Sequence, residues 1–143
     1  MAEPTALSVV TQFLDRIEGR DRSAIDDLLA TDLVNHASPL QGREGWRAIL
    51  AMIEHDLADL EVERHHLFGD GDGDMVAHHT TLHGTHVAST MPLLGGIAAS
   101  GTRVSWTFMH LWRVADGQIV EHWATRDDLG VLRKLEARHT LEA

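Results

Sequence analysis

The sequence predicts an α+β domain in which helices pack on one face of a curved antiparallel sheet. Apolar residues recur with the period of a helix over the first 59 residues and with a period of two from Leu60 onward. Helices that precede a run of strands are typical of α+β proteins. The 143 residues fit one domain, 1–143, and a chain of this length buries about 68–70% of its unfolded surface. The domain is therefore large enough for a core and a pocket.

Three helices are predicted before the strands. The first ends before Gly19, the second is short and follows Ser23, and the third spans about 43–59 with the strongest apolar stripe. Their apolar positions are Val10, Phe13, Leu14 and Ile17, then Ile25, Leu28 and Leu29, and then Trp46, Ile49, Leu50, Ile53 and Leu57. The segment 33–39 is predicted to be irregular, because Pro39 favours an extended residue before it.

Four strands and a last helix complete the predicted order. The strands cover 60–68, 75–88, 102–115 and 118–125, where side chains alternate in character. The Gly-Asp segment between the first two strands is typical of a hairpin turn. A short C-terminal helix is predicted from Asp127 or Asp128, either of which can cap it.

The composition argues against several classes of function. The formal net charge is −10, from 22 acidic and 12 basic residues, so nucleic acid and anionic membranes are poor partners. There are no cysteines, which removes disulfides and thiolate metal sites. The first ten residues hold no basic segment before an apolar run, and no apolar stretch reaches the length of a membrane span. We therefore expect a cytoplasmic protein.

The segment 103–126 predicts a β-hairpin around which the rest of the chain is organised. One face of its first strand carries four ring side chains, Trp106, Phe108, His110 and Trp112. A three-residue turn over 115–117 pairs His110 with His122 and Phe108 with Ala124, which places two imidazoles side by side in an aromatic wall. A two-residue Asp-Gly turn shifts the pairing by one and sends the two histidines to opposite faces.

The chain contains eleven histidines, and acid–base chemistry is one explanation of the opposed pair. Histidine titrates near neutrality, and burial lowers its pKa while a carboxylate raises it. His110 and His122 are therefore candidate general acid and base, with titration expected near neutrality. Two packed histidines bonded to backbone or water are an equally favoured alternative. A metal site is disfavoured, because no His-x-His pattern places two ligands on one strand face.

The segment 87–101 is apolar for a loop and contains Met91, Leu94 and the Gly95-Gly96 pair. A lid over the pocket, with the glycines as hinges, is one way to bury its side chains. Contact with a second subunit is the other, and the sequence favours neither.

Several segments resemble the SnoaL-like polyketide cyclase family. They are VNHAS at 34–38, GTH at 84–86 and FMHLWRVADGQIVEHW…DDLGVLRKL from Phe108 onward, and the order of elements also agrees. The resemblance covers nearly the whole chain. It implies a cone-shaped curved antiparallel sheet, an α+β barrel, with the three N-terminal helices packed on its concave face around an apolar pocket. It also implies a dimer or tetramer through the outer face of the sheet.

The resemblance further implies roles for individual residues. The family's cyclases close rings by a cofactor-free intramolecular aldol reaction of polyketide esters. Their pocket histidine matches His110, their helix-proximal asparagine matches Asn35, and the histidine before the catalytic position matches His122. The catalytic aspartate that shuttles the proton matches Ala124, whose methyl group cannot move a proton. Either the histidine pair has taken over proton transfer, or the pocket works by holding a substrate in a reactive conformation.

We therefore expect a cofactor-independent enzyme that acts on a hydrophobic, polyketide-type molecule by cyclisation or a related lyase or isomerase step. His110 and His122 are the expected catalytic residues. Pericyclase-like templating and non-catalytic binding of an apolar ligand are the alternatives. A homodimer is expected because the outer sheet face is too apolar to stay wet. The expected substrate-binding residues are Asn35, His36, His79, Leu94, Trp106, Phe108, Trp112 and Ala124.

Overall fold

The computed structural model describes residues 4–142, with side-chain surroundings through residue 136. Within this range the helices are α1 (Ala6–Glu18), α2 (Ser23–Leu28), α3 (Gly42–Asp56) and α4 (Asp128–Glu142). The strands are β1 (Leu29–Asn35), β2 (Leu57–Gly69), β3 (Met75–His86), β4 (Arg103–Ala115) and β5 (Gln118–Arg126). The predicted fold class is confirmed. The C-terminal helix is longer than predicted, at 15 residues.

The sheet is curved and unclosed, with the strand order β1-β5-β4-β3-β2. Strands β2 to β5 pair antiparallel, whereas β1 pairs parallel to β5. Strand β1 corrects the prediction of an irregular segment over 33–39. It ends at Asn35, which lies opposite His122 of β5. The parallel edge strand therefore places Asn35 next to one of the candidate catalytic histidines.

The three N-terminal helices pack on the concave face of the sheet and form one core with it. Phe13 of α1 contacts Trp46 of α3 and Trp112 of β4 edge-on, with ring centroids 6.1 and 5.8 Å apart. Aromatic pairs with this geometry add about 0.5–1.5 kcal/mol beyond the area that they bury. The apolar residues predicted for α1 and α2 supply much of the remainder.

The hairpin between β4 and β5 differs from the predicted one in two compensating ways. Its turn has two residues, Asp116 and Gly117, both with positive φ (53° and 76°), which is the type I′ geometry that suits a tight hairpin. A β-bulge then places Val120 as an extra residue in β5, because Val114 pairs with Ile119 and Arg113 with Glu121. The predicted pairings of His110 with His122 and of Phe108 with Ala124 are therefore wrong. His110 pairs with Ala124 instead, and the bulge keeps both histidines on one face.

The loop 87–102 is anchored at both ends and buries its own apolar residues. The buried carboxylate of Asp56 accepts hydrogen bonds from the Met91 backbone N–H and the Thr90 hydroxyl, both at 2.7 Å. His86 is hydrogen-bonded to Ser100 and Ser89 across the loop. Burial raises the pKa of Asp56, but hydrogen bonds from His55, Met91 and Thr90 outweigh it and lower that pKa to about 2.

Met91 and Leu94 of this loop belong to a second core with residues of β4 and α4. Leu94 is 1% exposed, so its burial requires no second subunit. Within the described residues, the loop covers the Trp106 end of the sheet, and a lid hinged at Gly95 and Gly96 stays a prediction. No described helix is both long and apolar enough to cross a membrane.

Candidate active site

A row of parallel rings stands on the concave face of β4. The His110 ring lies between Phe108 and Trp112, with centroid distances of 5.2 and 5.4 Å and interplanar angles of 3° and 23°. Alternate residues of a strand share a face, so the predicted set of Trp106, Phe108, His110 and Trp112 does lie together. Stacking on both faces restricts the orientation of the His110 ring, so its hydrogen-bond partners must lie at the edge that carries the nitrogen atoms.

His110 and His122 are in direct contact. The distance from His110 Nδ1 to His122 Nε2 is 2.8 Å, and the distance from His122 Nδ1 to Asn35 Oδ1 is 3.0 Å. Asn35 and His122 are buried, at 4% and 3% exposed. The predicted contact of the two rings is confirmed, although their positions in the sheet are diagonal. Asn35, an expected substrate-binding residue, lies behind His122 and is hydrogen-bonded to it.

Hydrogen bonding fixes the direction of this chain of side chains. Asn35 Oδ1 also accepts from the backbone N–H of Ala37 at 3.0 Å, so the atom facing His122 is the amide oxygen. His122 Nδ1 must therefore carry the proton that it donates to Asn35, which leaves His122 Nε2 as an acceptor. His110 in turn donates from Nδ1, and its Nε2 keeps a lone pair. Within the described residues, Nε2 of His110 makes no hydrogen bond, so it is available to accept a proton.

The electrostatic surroundings keep these imidazoles neutral. Burial is the main cause that lowers the pKa of His122 to about 3, with the charges of His78 and His36 adding to it. Burial likewise lowers the pKa of His110 well below its usual value, helped by His122, His78 and Arg126. The expected titration near neutrality is therefore displaced to the acid side, because no described carboxylate pairs with either ring.

Part of this face is accessible from outside. Phe108, His110 and Ala124 are half-buried, whereas Trp106, Trp112 and His122 around them are buried. We call the surface of Phe108, His110 and Ala124 the histidine recess. Ala124 lies directly opposite His110 in the sheet, so its methyl group is a cross-strand neighbour of the candidate base. The recess is an apolar surface with one imidazole acceptor in it.

One end of the recess carries a charged pair that the sequence did not single out. Arg126 lies opposite Phe108 in the sheet, and its guanidinium lies 5.8 Å from the centre of the Trp106 ring. Asp128 accepts from Arg126 Nε at 3.2 Å and from Trp106 Nε1 at 2.9 Å. The first residue of α4 thus fixes the Trp106 side chain. Alternation along β5 was the available signal, since Arg126 follows His122 and Ala124 at a spacing of two.

Two of the predicted substrate-binding residues lie on the other face of the sheet. His79 is paired with Met109 and contacts His66 there, Nδ1 to Nδ1, at 3.1 Å. His36 is exposed and stacks on Trp123 at 4.9 Å, with Glu121 Oε2 2.6 Å from its Nε2. The structure therefore places both residues away from the His110 face, His79 because adjacent residues in a strand point to opposite faces and His36 because it lies beyond the end of β1.

His78 takes the place predicted for His79. It is buried on the concave face, opposite His110, with ring centroids 5.0 Å apart. Leu94 and Trp106 lie at the far end of the same face, where they belong to the second core and support the wall. His78, His110 and His122 are therefore neighbours on the concave face.

The fold and this face define a class: an open α+β cone whose concave face holds an acid–base group in an apolar, ring-lined wall. A sequence profile of the SnoaL-like polyketide cyclase family matches residues 8–135. The chain belongs to this family.

Known relatives and structures agree with that membership. The chain is 28% identical over 111 residues to aklanonic acid methyl ester cyclase DauD of Streptomyces sp. (strain C5), covering 78% of this chain and 66% of DauD. DnrD of Streptomyces peucetius, of the same description, is 29% identical, with 71% and 67% covered. The chain thus spans about two thirds of the length of these relatives.

Among solved structures, TsrD from Streptomyces laurentii matches with a TM-score of 0.77 and 26% identity, covering 90% of this chain and 96% of TsrD. IdmH from Streptomyces antibioticus matches with a TM-score of 0.76 and 24% identity, covering 93% and 99%. The second likeness shows the fold alone.

Proposed function

We propose that the protein is a cofactor-independent cyclase of a largely apolar, polyketide-type molecule, with His110 as the general base. The observation that carries this proposal is the hydrogen-bonded chain from Asn35 through His122 to His110. These hydrogen bonds give His110 a defined tautomer. The unbonded nitrogen of His110, Nε2, belongs to the accessible histidine recess. A base that is held in one tautomer needs no reorganisation when it accepts a proton.

The reaction that fits is an intramolecular aldol closure. His110 Nε2 removes a proton from a carbon beside a carbonyl group, and the resulting enolate carbon attacks a second carbonyl carbon in the same molecule. A carbon–carbon bond forms, the second carbonyl oxygen becomes an alkoxide, and His110 returns its proton to that oxygen. The product is an isomer of the substrate, and no oxidant or cofactor is consumed. His122 and Asn35 act as positioning residues.

The relatives suggest a first substrate to test, which is aklanonic acid methyl ester. Its conversion to a product of equal mass is measured by liquid chromatography and mass spectrometry. His110→Ala is expected to reduce turnover about 10²–10⁴-fold, the usual range for loss of a general base. Wild-type-like turnover in a folded His110→Ala variant would exclude His110 as the base.

A second candidate mechanism is templating, in which the recess holds a substrate in a reactive conformation. The apolar Ala124 opposite His110 favours this candidate, since the recess holds few groups that can move a proton. In that case His110→Ala costs little, and Phe108→Ala reduces turnover by loosening the bound conformation. If the protein only stores a ligand, it binds aklanonic acid methyl ester without converting it. Quenching of tryptophan fluorescence measures this binding.

The outer face of the sheet supports a proposal about assembly. Phe68, Met109 and Leu111 are 60%, 54% and 44% exposed, and Met109 and Leu111 lie on the same face of β4. An apolar strip of this kind on a sheet is typical of an interface. We propose that a second copy of the chain covers it in a homodimer, and that the protein works in the cytoplasm.

A further inference from the structure

His78 is a buried histidine of the concave face that the Asn35–His122–His110 chain does not use. It lies directly opposite His110 in the sheet, and the two rings are 18° from parallel. Burial, with the nearby charges of Arg64 and His79, lowers the pKa of His78 to about 4. The ring is therefore neutral at neutral pH, with one N–H donor and one acceptor nitrogen.

Neither ring nitrogen of His78 has a hydrogen-bond partner among the described residues, and only 4% of the residue is exposed. An unpaired buried polar group destabilises the folded state, because it has lost its hydrogen bonds to water. A leucine or phenylalanine would fill an apolar wall without that cost. His110 beside it is half-buried, so the accessible recess begins one ring away from His78. A buried N–H donor without a protein partner, next to the accessible recess, is expected where the ligand itself supplies the hydrogen-bond acceptor.

We propose that His78 donates a hydrogen bond to a carbonyl oxygen of the bound substrate, beside the carbon from which His110 removes a proton. This inference rests on the proposed function and narrows the substrate to a ketone or ester with an acidic C–H next to its carbonyl group. The centroids of the His78 and His110 rings are 5.0 Å apart, and catalytic hydrogen bonds span about 2.6–3.2 Å. The two rings are therefore close enough to contact neighbouring atoms of one substrate, the carbonyl oxygen and the carbon beside the carbonyl group. His78 reaches the oxygen by rotating its side chain toward the recess.

The donor would act where charge develops. As His110 takes the proton, negative charge moves from the carbon to the carbonyl oxygen, and a neutral imidazole N–H in a dry site stabilises that charge. When the new carbon–carbon bond has formed, this oxygen is a carbonyl again and His78 still holds its proton. His78 is thus a catalytic residue that transfers no proton.

Binding of a matched pair of small molecules tests this role without turnover. The probes are 1-tetralone and tetralin, which share a bicyclic skeleton and differ in one carbonyl oxygen. Water solvates a carbonyl group, so a site without a donor binds the ketone more weakly than the hydrocarbon. NMR titration of the wild-type protein is expected to show 1-tetralone binding at least tenfold more tightly. In protein labelled with ¹⁵N-histidine, the ketone is expected to shift a nitrogen resonance of His78.

Two substitutions complete the test. His78→Phe keeps an aromatic ring in the stack and is expected to abolish the preference for the ketone, whereas His78→Gln retains part of it through its amide N–H. No ketone preference in the wild type, or no shift at His78, overturns the inference and leaves the base role of His110 untouched. Ketone preference that depends on His78, together with full turnover in His110→Ala, supports the carbonyl site and contradicts the proposed base.

Discussion

The two faces of the sheet carry histidines in opposite surroundings. On the concave face, the partners of His110 and His122 are each other and the Asn35 amide, and no described carboxylate bonds to them. On the outer face, His83 lies between Ser105 Oγ at 2.8 Å and Glu63 Oε1 at 3.0 Å. The same residue type thus lies among rings on the concave face and among polar side chains on the outer face.

The difference shows what makes a histidine a candidate base. On the outer face, a hydroxyl group and a carboxylate occupy both ring nitrogens of His83. His110 is bonded at one nitrogen only within the described residues, and its neighbours are rings and a methyl group. An unoccupied nitrogen among rings and a methyl group, rather than the number of histidines in the chain, makes His110 the candidate base.

Apart from loss of His110 itself, the largest expected effect on turnover comes from breaking the hydrogen bonds that link His110 to His122 and Asn35. His122→Ala removes the acceptor of the His110 Nδ1 proton and is expected to reduce turnover about 100-fold or more, with a smaller change in KM. His122→Gln is expected to recover part of the rate, since its amide oxygen can accept the same hydrogen bond. His83→Ala on the outer face is the matched control and should stay within about twofold of wild type. Equal rates for His122→Ala and His83→Ala would contradict the comparison.

Acid should destabilise the protein through the concave-face histidines. The folded-state pKa values of His78 and His122 are about 4 and about 3, below the unfolded value of about 6.5. The unfolded chain therefore binds more protons below pH 6.5, and stability is lost as the pH falls from there toward the folded pKa values. Each such histidine is expected to remove about 1.4 kcal/mol of unfolding free energy per pH unit.

Urea unfolding at pH 7, 6 and 5 measures this slope. His78→Phe is expected to reduce the slope by about 1.4 kcal/mol per pH unit, the share of one histidine. Val76→Ala, a neighbour on the same strand and face, lowers stability without adding or removing a titrating group, so its slope should match the wild type. A slope unchanged by His78→Phe would show that His78 is not held neutral by the fold.

A carboxylate on the concave face should make it resemble the outer one. Ala124→Asp places an acidic group directly opposite His110, and an opposite charge favours the protonated imidazole. The His110 pKa is expected to rise by one unit or more, and the acid limb of the pH–rate profile should move with it. Ala124→Asn supplies the same shape without the charge. A His110 pKa by NMR titration that is equal in the two variants would refute this prediction.

The smallest effect on chemistry is expected from the outer face. Met109→Lys puts a charge into the exposed apolar strip and is expected to convert the proposed dimer to a monomer, with turnover per chain changed by less than about twofold. Analytical ultracentrifugation at micromolar concentration measures the assembly. A wild-type monomer would disprove the dimer, and Thr107→Lys on the same face repeats the test at a second position.

Much of the fold was predictable because it depends on local pattern. The three N-terminal helices and the four strands from β2 to β5 follow from periodicity, and their observed bounds lie within a few residues of the predicted ones. Strand β1 was missed because its sequence, LATDLVN, has no clear alternation. Its pairing with β5 is a long-range contact to residues about 90 positions later.

The site was harder to predict, because small register changes decide which face a side chain occupies. His78 and His79 are adjacent and identical in type, so composition gives no reason to prefer one for the pocket. The burial of Asn35 behind His122 depends on β1. The contact of His110 and His122 was predicted from a turn that the protein does not use.

That contact has a consequence for the way relatives of this chain diverge. With the two-residue turn alone, even-numbered residues of β4 pair with odd-numbered residues of β5. The single extra residue at Val120 makes even-numbered residues pair with even-numbered ones along the rest of the hairpin. Loss of the bulge with every residue kept, so that Val120 pairs with Arg113, would exchange the inward and outward halves of β5. His122 and Ala124 would then face the outside, and Trp123 and Thr125 would face the rings of β4. Two relatives with the same residues along these strands can therefore have different pocket walls, because the presence of the bulge decides which residues face the pocket.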